Sequence, residues 1–179
     1  MKQVCVSGFG GQGIILAGLL LGQAGAIEGK HVSGASSYGA QARGSGCRSE
    51  VVLSDHPIDY PHLIEIDFLI AMSQGTYDQY SKEVKEETGF ILYDQGIVTP
   101  NESLKVKQTG LPATRSSVET LKNKQMANIV LLGGFVKITR VVSLKAVEKA
   151  IDAHIGERFK EINLKALRLG IELARHRNG

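Results

Sequence analysis

The stretch Val4-Cys5-Val6-Ser7-Gly8-Phe9-Gly10-Gly11-Gln12-Gly13 decides how this chain begins to fold. Its first four residues are apolar or small and contain no turn former, which predicts a strand over residues 3–7. The glycines that follow suit a tight turn and allow close approach of a ligand or another backbone. An apolar run without charge or proline comes next, so we predict a helix over residues 12–27 with Gly29 at its C-terminal cap.

A strand, a glycine loop and a helix in this order form the opening unit of α/β domains that bind nucleotides. The helix directs its first free N–H groups towards whatever lies over the loop, which favours an anion there. The pattern therefore predicts a loop that binds an anion or packs closely on a neighbour. Its residues are Gly8, Gly10, Gly11, Gln12 and Gly13.

Size and composition indicate one globular domain over residues 1–179. Apolar residues make up 42% of the chain and charged residues 22%, with a formal net charge of only +3. This charge and the lack of interleaved basic and aromatic residues argue against nucleic-acid binding. We find neither a membrane span nor a signal peptide, and expect a cytoplasmic protein. The two cysteines, Cys5 and Cys47, are too few to ligate an iron–sulfur cluster unaided, and we expect buried thiols.

Hydrophobic patterning predicts an α/β fold, with three layers, a mostly parallel Rossmann-like sheet and a helical C-terminal third. After the first helix we predict a short strand at 30–32 and a long small-residue loop at 33–46. Further strands are predicted at 49–54, 66–72 and 90–93, with an edge strand at 103–108. A helix is predicted at 75–87. In the last third we predict a helix start at a capping box over 116–119, an apolar helix over 126–139, a helix capped by Ser143 and a final helix over 157–175.

Several common kinds of catalytic or cofactor site are disfavoured. A nicotinamide dinucleotide site usually has an acidic residue at the end of the second strand, whereas Glu28 precedes the predicted second strand. The chain has no nucleophile elbow, and none of its five histidines form the i, i+4 pair of a helical zinc site. The small-residue loop instead carries Tyr38 and Arg43, residue types that protein interfaces enrich. We therefore predict a partner interface there.

Two motifs resemble the gamma subunit of 2-oxoacid:ferredoxin (acceptor) oxidoreductases. The loop at residues 8–13 resembles the family's G-x-G-G-Q-G signature, and residues 37–44 resemble its S-Y-G-x-x-x-R-G-G segment, with Ser45 in place of the last glycine. Further similarities are found at Asp55, Pro57, Ile58 and Asp67, and at Asn128 with Gly133. The S-Y-G form is most similar to the 2-oxoglutarate and branched-chain members.

This resemblance implies a subunit of a complex that oxidatively decarboxylates a 2-oxoacid with coenzyme A to an acyl-CoA and passes electrons to ferredoxin. The substrate we favour is 2-oxoglutarate. Thiamine diphosphate, magnesium and iron–sulfur clusters would lie in companion subunits (alpha, beta with thiamine diphosphate, and a ferredoxin-like delta). This chain would hold none of these cofactors and no metal, and would carry no catalytic residue of its own.

The same resemblance implies that the glycine loop lies near a partner or the phosphates of coenzyme A. The interface segment would contact a partner through Ser37, Tyr38, Gly39, Arg43 and Gly44. An isolated chain is expected to be able to form a homodimer through the surface its partners use. Two alternatives remain open at this stage: a free-standing NAD(P)- or flavin-binding oxidoreductase, suggested by the glycine loop alone, and a non-catalytic interaction module, suggested by the helical third.

Overall fold

The structure is a computed structural model that describes residues 1–38 and 46–176. Its strands are β1 (Lys2–Phe9), β2 (His31–Tyr38), β3 (Gly46–Ser54), β4 (Phe68–Ala71), β5 (Phe90–Asp94) and β6 (Lys107–Leu111). Its α-helices are α1 (Ile14–Ile27), α2 (Gln74–Tyr80), α3 (Ala113–Leu121), α4 (Ala127–Thr139), α5 (Leu144–His154) and α6 (Glu157–Arg175). Short 3-10 turns follow α2 at Ser81–Glu83 and precede α4 at Lys124–Met126.

The six strands form one mixed sheet in the order β2-β3-β1-β4-β5-β6. β1, β4, β5 and β6 run parallel to one another, whereas β3 is antiparallel to both β1 and β2. β1 is therefore central, with Cys5 opposite Glu50 on one side and Leu69 on the other. The predicted α/β class with a largely parallel sheet and a helical C-terminal third is confirmed.

Apolar side chains of β1 alternate between two cores, as a strand covered on both faces requires. Val4 and Val6 point into the larger core, which α1, α4, α5 and α6 cover. Cys5 points into the smaller core on the opposite face, together with Tyr77 and Tyr80 of α2 and the 3-10 turn region. The sheet is thus the middle of three layers.

The helical third is held together by a close crossing of α4 and α6. A Cβ atom on Gly133 would overlap the carbonyl group of Leu167, and one on Gly170 would overlap the carbonyl group of Val130. Only hydrogen atoms fit between these backbones, so the glycines are required for the approach of the two helices. Both helices contribute to the larger core.

Residues 33–38 of the segment predicted as a long loop form a strand, which corrects the prediction for this part, and residues 39–45 lie outside the described residues. β2 continues from His31 to Tyr38 and pairs with β3 along its whole length, with Gly34 opposite Val51. Small residues weaken a strand because they bury little surface, but the ladder of backbone hydrogen bonds to β3 does not depend on side chains. Two glycines of α1 face side chains of β3 closely: a Cβ on Gly18 would overlap Ser49, and one on Gly25 would overlap Leu53.

Other element boundaries also differ from the sequence prediction. The helix start predicted from the capping box over 116–119 is wrong, because α3 begins at Ala113. The side chain of Asp94 accepts hydrogen bonds at this start, from the backbone N–H of Thr114 at 3.0 Å and from its hydroxyl at 2.5 Å. The last edge strand lies at Lys107–Leu111 instead of 103–108. The helix predicted to reach residue 87 ends at Tyr80. The cap at Ser143 and the final helix are confirmed. The C-cap of α1 is Glu28 rather than Gly29, which follows it with a φ of 78°.

No helix in the described part of the chain is both long and apolar enough to span a membrane.

Candidate functional site

The glycine loop follows β1, and the helices after β1 and after its neighbour β4 pack on opposite faces of the sheet. α1 follows β1 and packs on the face of the larger core, whereas α2 follows the neighbouring strand β4 and packs on the other face. The carboxyl ends of these two parallel strands are therefore a topological switch point, the usual ligand position in open α/β sheets. The loop residues 8–13 begin at the carboxyl end of β1, at this point.

The side chain of Gln12 fastens the loop to both strands. Its Oε1 accepts a hydrogen bond from the backbone N–H of Phe9 at 2.7 Å, and its Nε2 donates to the carbonyl of Met72 just beyond β4 at 3.1 Å. The backbone N–H of Gln12 donates to the carbonyl of Phe9 at 3.2 Å. The amide, with one acceptor and two donors, can make both side-chain bonds at once, whereas a carboxylate could not donate to Met72.

Gly13 is the N-cap of α1 and adopts a left-handed conformation with φ 74° and ψ 25°. The Nδ2 of Asn128, from α4, donates to the carbonyl of Gly13 at 3.0 Å. A Cβ atom on Gly13 would overlap this amide. Asn128 is buried, and its Oδ1 has no hydrogen-bond partner among the described residues. Asn128 thus positions the loop, a role that its sequence separation of 115 residues concealed.

The remaining glycines of the loop divide into two kinds. A Cβ on Gly8 would lie 2.5 Å from Gln12 Oε1 and 2.7 Å from Ile14 Cδ1, so this glycine is required by packing. Gly11 has a φ of 90° and is required by its backbone conformation. Gly10 has neither constraint within the described residues, because its φ is not positive and none of their atoms lies within 4 Å of a Cβ built on it. The described part of the chain therefore gives no reason for glycine at position 10.

The start of the predicted interface segment lies at the same end of the sheet as the glycine loop. Tyr38 at the end of β2 is paired with Cys47 of β3, and Cys47 is paired on its other side with Gly8. Two strand spacings, roughly 10 Å, therefore separate Tyr38 from Gly8. Ser37 pairs with Arg48 in the same ladder. Gly39, Arg43 and Gly44 lie outside the described residues.

A charged cluster around the buried Glu50 fixes the connector between β3 and β4 to the sheet. Glu50 accepts hydrogen bonds from the Nε of Arg48 at 2.7 Å and from the backbone N–H of Leu63 at 3.1 Å, and His62 Nδ1 lies 3.5 Å from its carboxylate. Burial acts to raise the pKa of Glu50, but the bonds from Leu63 and Arg48 outweigh it and leave this pKa below its usual range. The Glu50 carboxylate is thus ionised at neutral pH and positions the connector through the backbone of Leu63.

Both cysteines are buried free thiols, as predicted, and burial raises the pKa of Cys5 to about 12. Within residues 1–38 and 46–176, no three or more His, Cys, Asp or Glu side chains are grouped so that they could hold a metal ion. With β2 extended to Tyr38, the end of the second strand also carries no Asp or Glu for a ribose.

Comparison with known proteins identifies the family. The family model described as pyruvate ferredoxin/flavodoxin oxidoreductase matches residues 3–173. The chain belongs to the pyruvate ferredoxin/flavodoxin oxidoreductase family. The identification made from the two glycine-containing motifs is confirmed.

Within this oxidoreductase family, full-length relatives are similar over nearly the whole chain. The chain is 42% identical to the 2-oxoglutarate synthase subunit KorC of Methanocaldococcus jannaschii, covering 97% of this chain and 94% of that protein. It is 38% identical to the subunit of the same name from Methanothermobacter thermautotrophicus, over 96% of this chain and 94% of that protein.

Solved structures of this oxidoreductase family have the same fold. The gamma subunit of a keto/oxoacid ferredoxin oxidoreductase from Geobacter sulfurreducens superposes with a TM-score of 0.87 at 36% identity, covering 98% of this chain and 99% of that one. A 2-oxoglutarate:ferredoxin oxidoreductase from Magnetococcus marinus has a TM-score of 0.87 at 23% identity, covering 98% of this chain and 31% of that longer chain. The second likeness concerns the fold alone.

Proposed function

We propose that this chain is the gamma-type subunit of a 2-oxoglutarate:ferredoxin oxidoreductase, which converts 2-oxoglutarate and coenzyme A to succinyl-CoA. The order of sequence identity among the relatives supports 2-oxoglutarate as the substrate. Identity is 42% and 38% to 2-oxoglutarate synthase subunits, 29% to a ketoisovalerate oxidoreductase subunit and 26% to a pyruvate synthase subunit, the last two from Methanothermobacter marburgensis.

The redox chemistry of this complex belongs to companion subunits in our proposal. The two cysteines of this chain are buried and lie in different cores, so they are unsuited to ligating a cluster. We assign thiamine diphosphate and its magnesium to a beta subunit, and iron–sulfur clusters to a ferredoxin-like delta subunit, beside an alpha subunit. The chain is then not catalytic alone, forms a single domain over residues 1–179 and works in the cytoplasm.

The glycine loop is the part of this chain that completes the site of the complex. Gly10 is the observation that carries this assignment, because neither its conformation nor the packing of residues 1–38 and 46–176 explains glycine there. A close-approaching group from outside the chain, either a partner or the phosphates of coenzyme A, accounts for it. The first N–H groups of α1 lie beside the loop, and residues 8–16 carry no charge that would oppose an anion.

The second motif forms the partner interface in the same proposal, through Ser37, Tyr38, Gly39, Arg43 and Gly44. The β2–β3–β1 pairing supports it, since Tyr38 lies at the same end of the sheet as Gly8. One partner surface could therefore contact both motifs.

Reconstitution of the complex with and without this chain tests the assignment. We expect coenzyme A-dependent reduction of ferredoxin with 2-oxoglutarate to require this chain, and to exceed the rates with pyruvate and 2-oxoisovalerate. Equal turnover without the chain would contradict the proposed function. A nucleotide titration of the chain alone completes the test, because tight NAD(P) or flavin binding would favour a free-standing oxidoreductase.

Replacing Gly10 by leucine tests the role of the glycine loop. Gly156→Leu is the matched control, because no described atom lies within 4 Å of a Cβ built at either position. We expect Gly10→Leu to impair assembly or raise the KM for coenzyme A while the chain stays folded. Gly156→Leu should leave both unchanged. Identical behaviour of the two variants would contradict the role of the loop.

A further inference from the structure

The connector between β3 and β4 spans residues 55–67 and contains no helix or strand. Within it, Ile66 forms an isolated bridge to Val84. Most connections in compact domains have about 4–6 residues, and much longer ones without secondary structure are usually either disordered or functional. The contacts of the connector distinguish these two cases.

Polar side chains from three strands hold the second half of the connector in place. From β1, Gln3 Oε1 accepts a hydrogen bond from the backbone N–H of Ile64 at 2.6 Å, although Gln3 is only 4% exposed. From β2, the hydroxyl of Ser33 donates to the carbonyl of Pro61 at 2.9 Å. From β3, the buried Glu50 holds the backbone between these two points. Residues 61–64 therefore have a fixed conformation.

Large apolar and aromatic side chains lie on the outer side of this fixed segment. Ile64 is 68% exposed, the highest value among the large hydrophobic side chains of the described residues, and Tyr60 is 55% exposed. His62 lies between them in the chain, with its ring edge-on to that of Tyr60 at 5.8 Å between centroids. Leu63 packs instead against the smaller core. The fold thus fixes the backbone and leaves these side chains in water, as in a preorganised binding surface.

A cleft of about 280 Å³ opens beside these side chains. The guanidinium of Arg48 is paired there with Glu50. Glu65 is paired with Lys85, whose Nζ lies 3.2 Å away. Glu83 forms no salt bridge with residues 1–38 or 46–176, so it leaves a carboxylate without a cation. The residues that line the cleft are Arg48, Leu63, Ile64, Glu65, Ile66 and Glu83.

We propose that Tyr60, His62, Ile64 and this cleft, together the connector patch, dock a companion subunit of the complex. The companion covers Tyr60 and Ile64 with an apolar surface and inserts an arginine or lysine that pairs with Glu83. Tyrosine is enriched among the residues that dominate interface energies, and arginine forms strong, directed pairs with carboxylates. The existence of companion subunits rests on the proposed function, but the connector patch shares no residue with the segments 8–13 and 37–44.

Charge favours a companion over a second copy of this chain as the occupant. Residues 55–67 contain neither lysine nor arginine. Asp59, next to Tyr60, forms no salt bridge within the described part of the chain. In a symmetric dimer each connector patch meets the same patch of the other copy, so Asp59 and Glu83 would face like charges, which is unfavourable. A companion that contributes a basic side chain avoids this repulsion.

Competition for places in the complex tests the apolar part of the connector patch. The companion subunits, one of them tagged, are coexpressed with equal amounts of the wild-type chain and one variant, and mass spectrometry of the purified complex gives the incorporation ratio. We expect Ile64→Lys to be incorporated at least about tenfold less than the wild type, because it replaces an apolar contact by a charge. Val118→Lys is the matched control, since Val118 is 46% exposed on α3, and it should compete equally.

Glu83→Gln tests the cleft in the same assay. We expect it to be incorporated at least about threefold less than the wild type, with a smaller difference at high salt, where the pair with the companion is screened. Glu172→Gln is the matched control, because Glu172 is exposed on α6 and this helix covers the opposite face of the sheet. Circular dichroism and urea unfolding check that every variant is folded.

Equal incorporation of Ile64→Lys and Val118→Lys would overturn the proposal. A stable dimer of the purified chain that Ile64→Lys dissociates would overturn it as well, because a second copy would then occupy the connector patch. Equal incorporation of Glu83→Gln and Glu172→Gln would overturn the assignment of a basic side chain to the cleft. Absence of the wild-type chain from the complex would instead contradict the proposed function, so the two failures are distinguishable.

Discussion

Replacing Gly13 by alanine tests how the glycine loop is held. An alanine at φ 74° is in the left-handed region, which costs about 1 kcal/mol or slightly more. The new Cβ also overlaps the Asn128 amide, so the hydrogen bond to the Gly13 carbonyl, worth about 1 kcal/mol, is lost and the contact must be repacked at a further cost of about 1–3 kcal/mol. We expect Gly13→Ala to lower the free energy of unfolding by about 3–5 kcal/mol.

The chain offers a matched control for this variant. Gly29 has nearly the same φ, 78°, but nothing lies within 4 Å of a Cβ built on it. Gly29→Ala should therefore cost only the left-handed strain, about 1–2 kcal/mol. The measurement is urea unfolding of both variants beside the wild type, with melting temperature as a second observable. The difference of about 2 kcal/mol corresponds to roughly 4–8 °C in a domain of this size.

The double variant Gly13→Ala/Asn128→Ala separates the cost of the contact with Asn128 from the cost of the left-handed backbone at residue 13. Asn128→Ala removes the amide that Gly13→Ala would displace, so the two changes together should cost about 1–2 kcal/mol less than their sum. Two results together would refute the claim that Asn128 positions the loop. Gly13→Ala and Gly29→Ala would lower the free energy of unfolding equally, and the effects of Gly13→Ala and Asn128→Ala would be additive.

Three further predictions concern the core and the buried ionisable groups. Gly170→Ala should destabilise the chain by about 2 kcal/mol or more in urea unfolding, since its Cβ would overlap the carbonyl of Val130, while Gly156→Ala should be nearly neutral. Because the pKa of Glu50 is lowered in the folded state, its ionisation stabilises the fold above its unfolded pKa, and this stability is lost as the pH falls through the folded pKa. Unfolding measured from pH 7 downwards should show this loss, and Glu50→Gln should flatten the curve. The Cys5 thiol, with its pKa raised to about 12, should not react with a thiol reagent at pH 8 until the chain unfolds, and rapid labelling of the native chain would contradict its burial.

Local patterns in the sequence were sufficient for the elements whose signals lie within a few residues. The β1–glycine loop–α1 unit, the Ser143 cap and α6 follow from adjacent residue types, and the structure has them where they were expected. β2 was predicted too short, at 30–32, because its continuation to Tyr38 is stabilised by the ladder to β3 rather than by β-branched side chains. The start of α3 was misplaced because its capping side chain, Asp94, lies 20 residues earlier in the chain.

The sequence by itself determined the family, the α/β class and the position of the glycine loop after the first strand. These depend on residue types at short, fixed spacings, which specify a turn or a helix start independently of the rest of the fold. Only the tertiary structure decided that Asn128 packs against Gly13 and that a Cβ on Gly10 would meet no atom of the described residues within 4 Å. It also decided that β2 is an edge strand of the sheet. Such contacts join residues more than a hundred positions apart or depend on strand order, and neither is encoded in any local stretch of the chain.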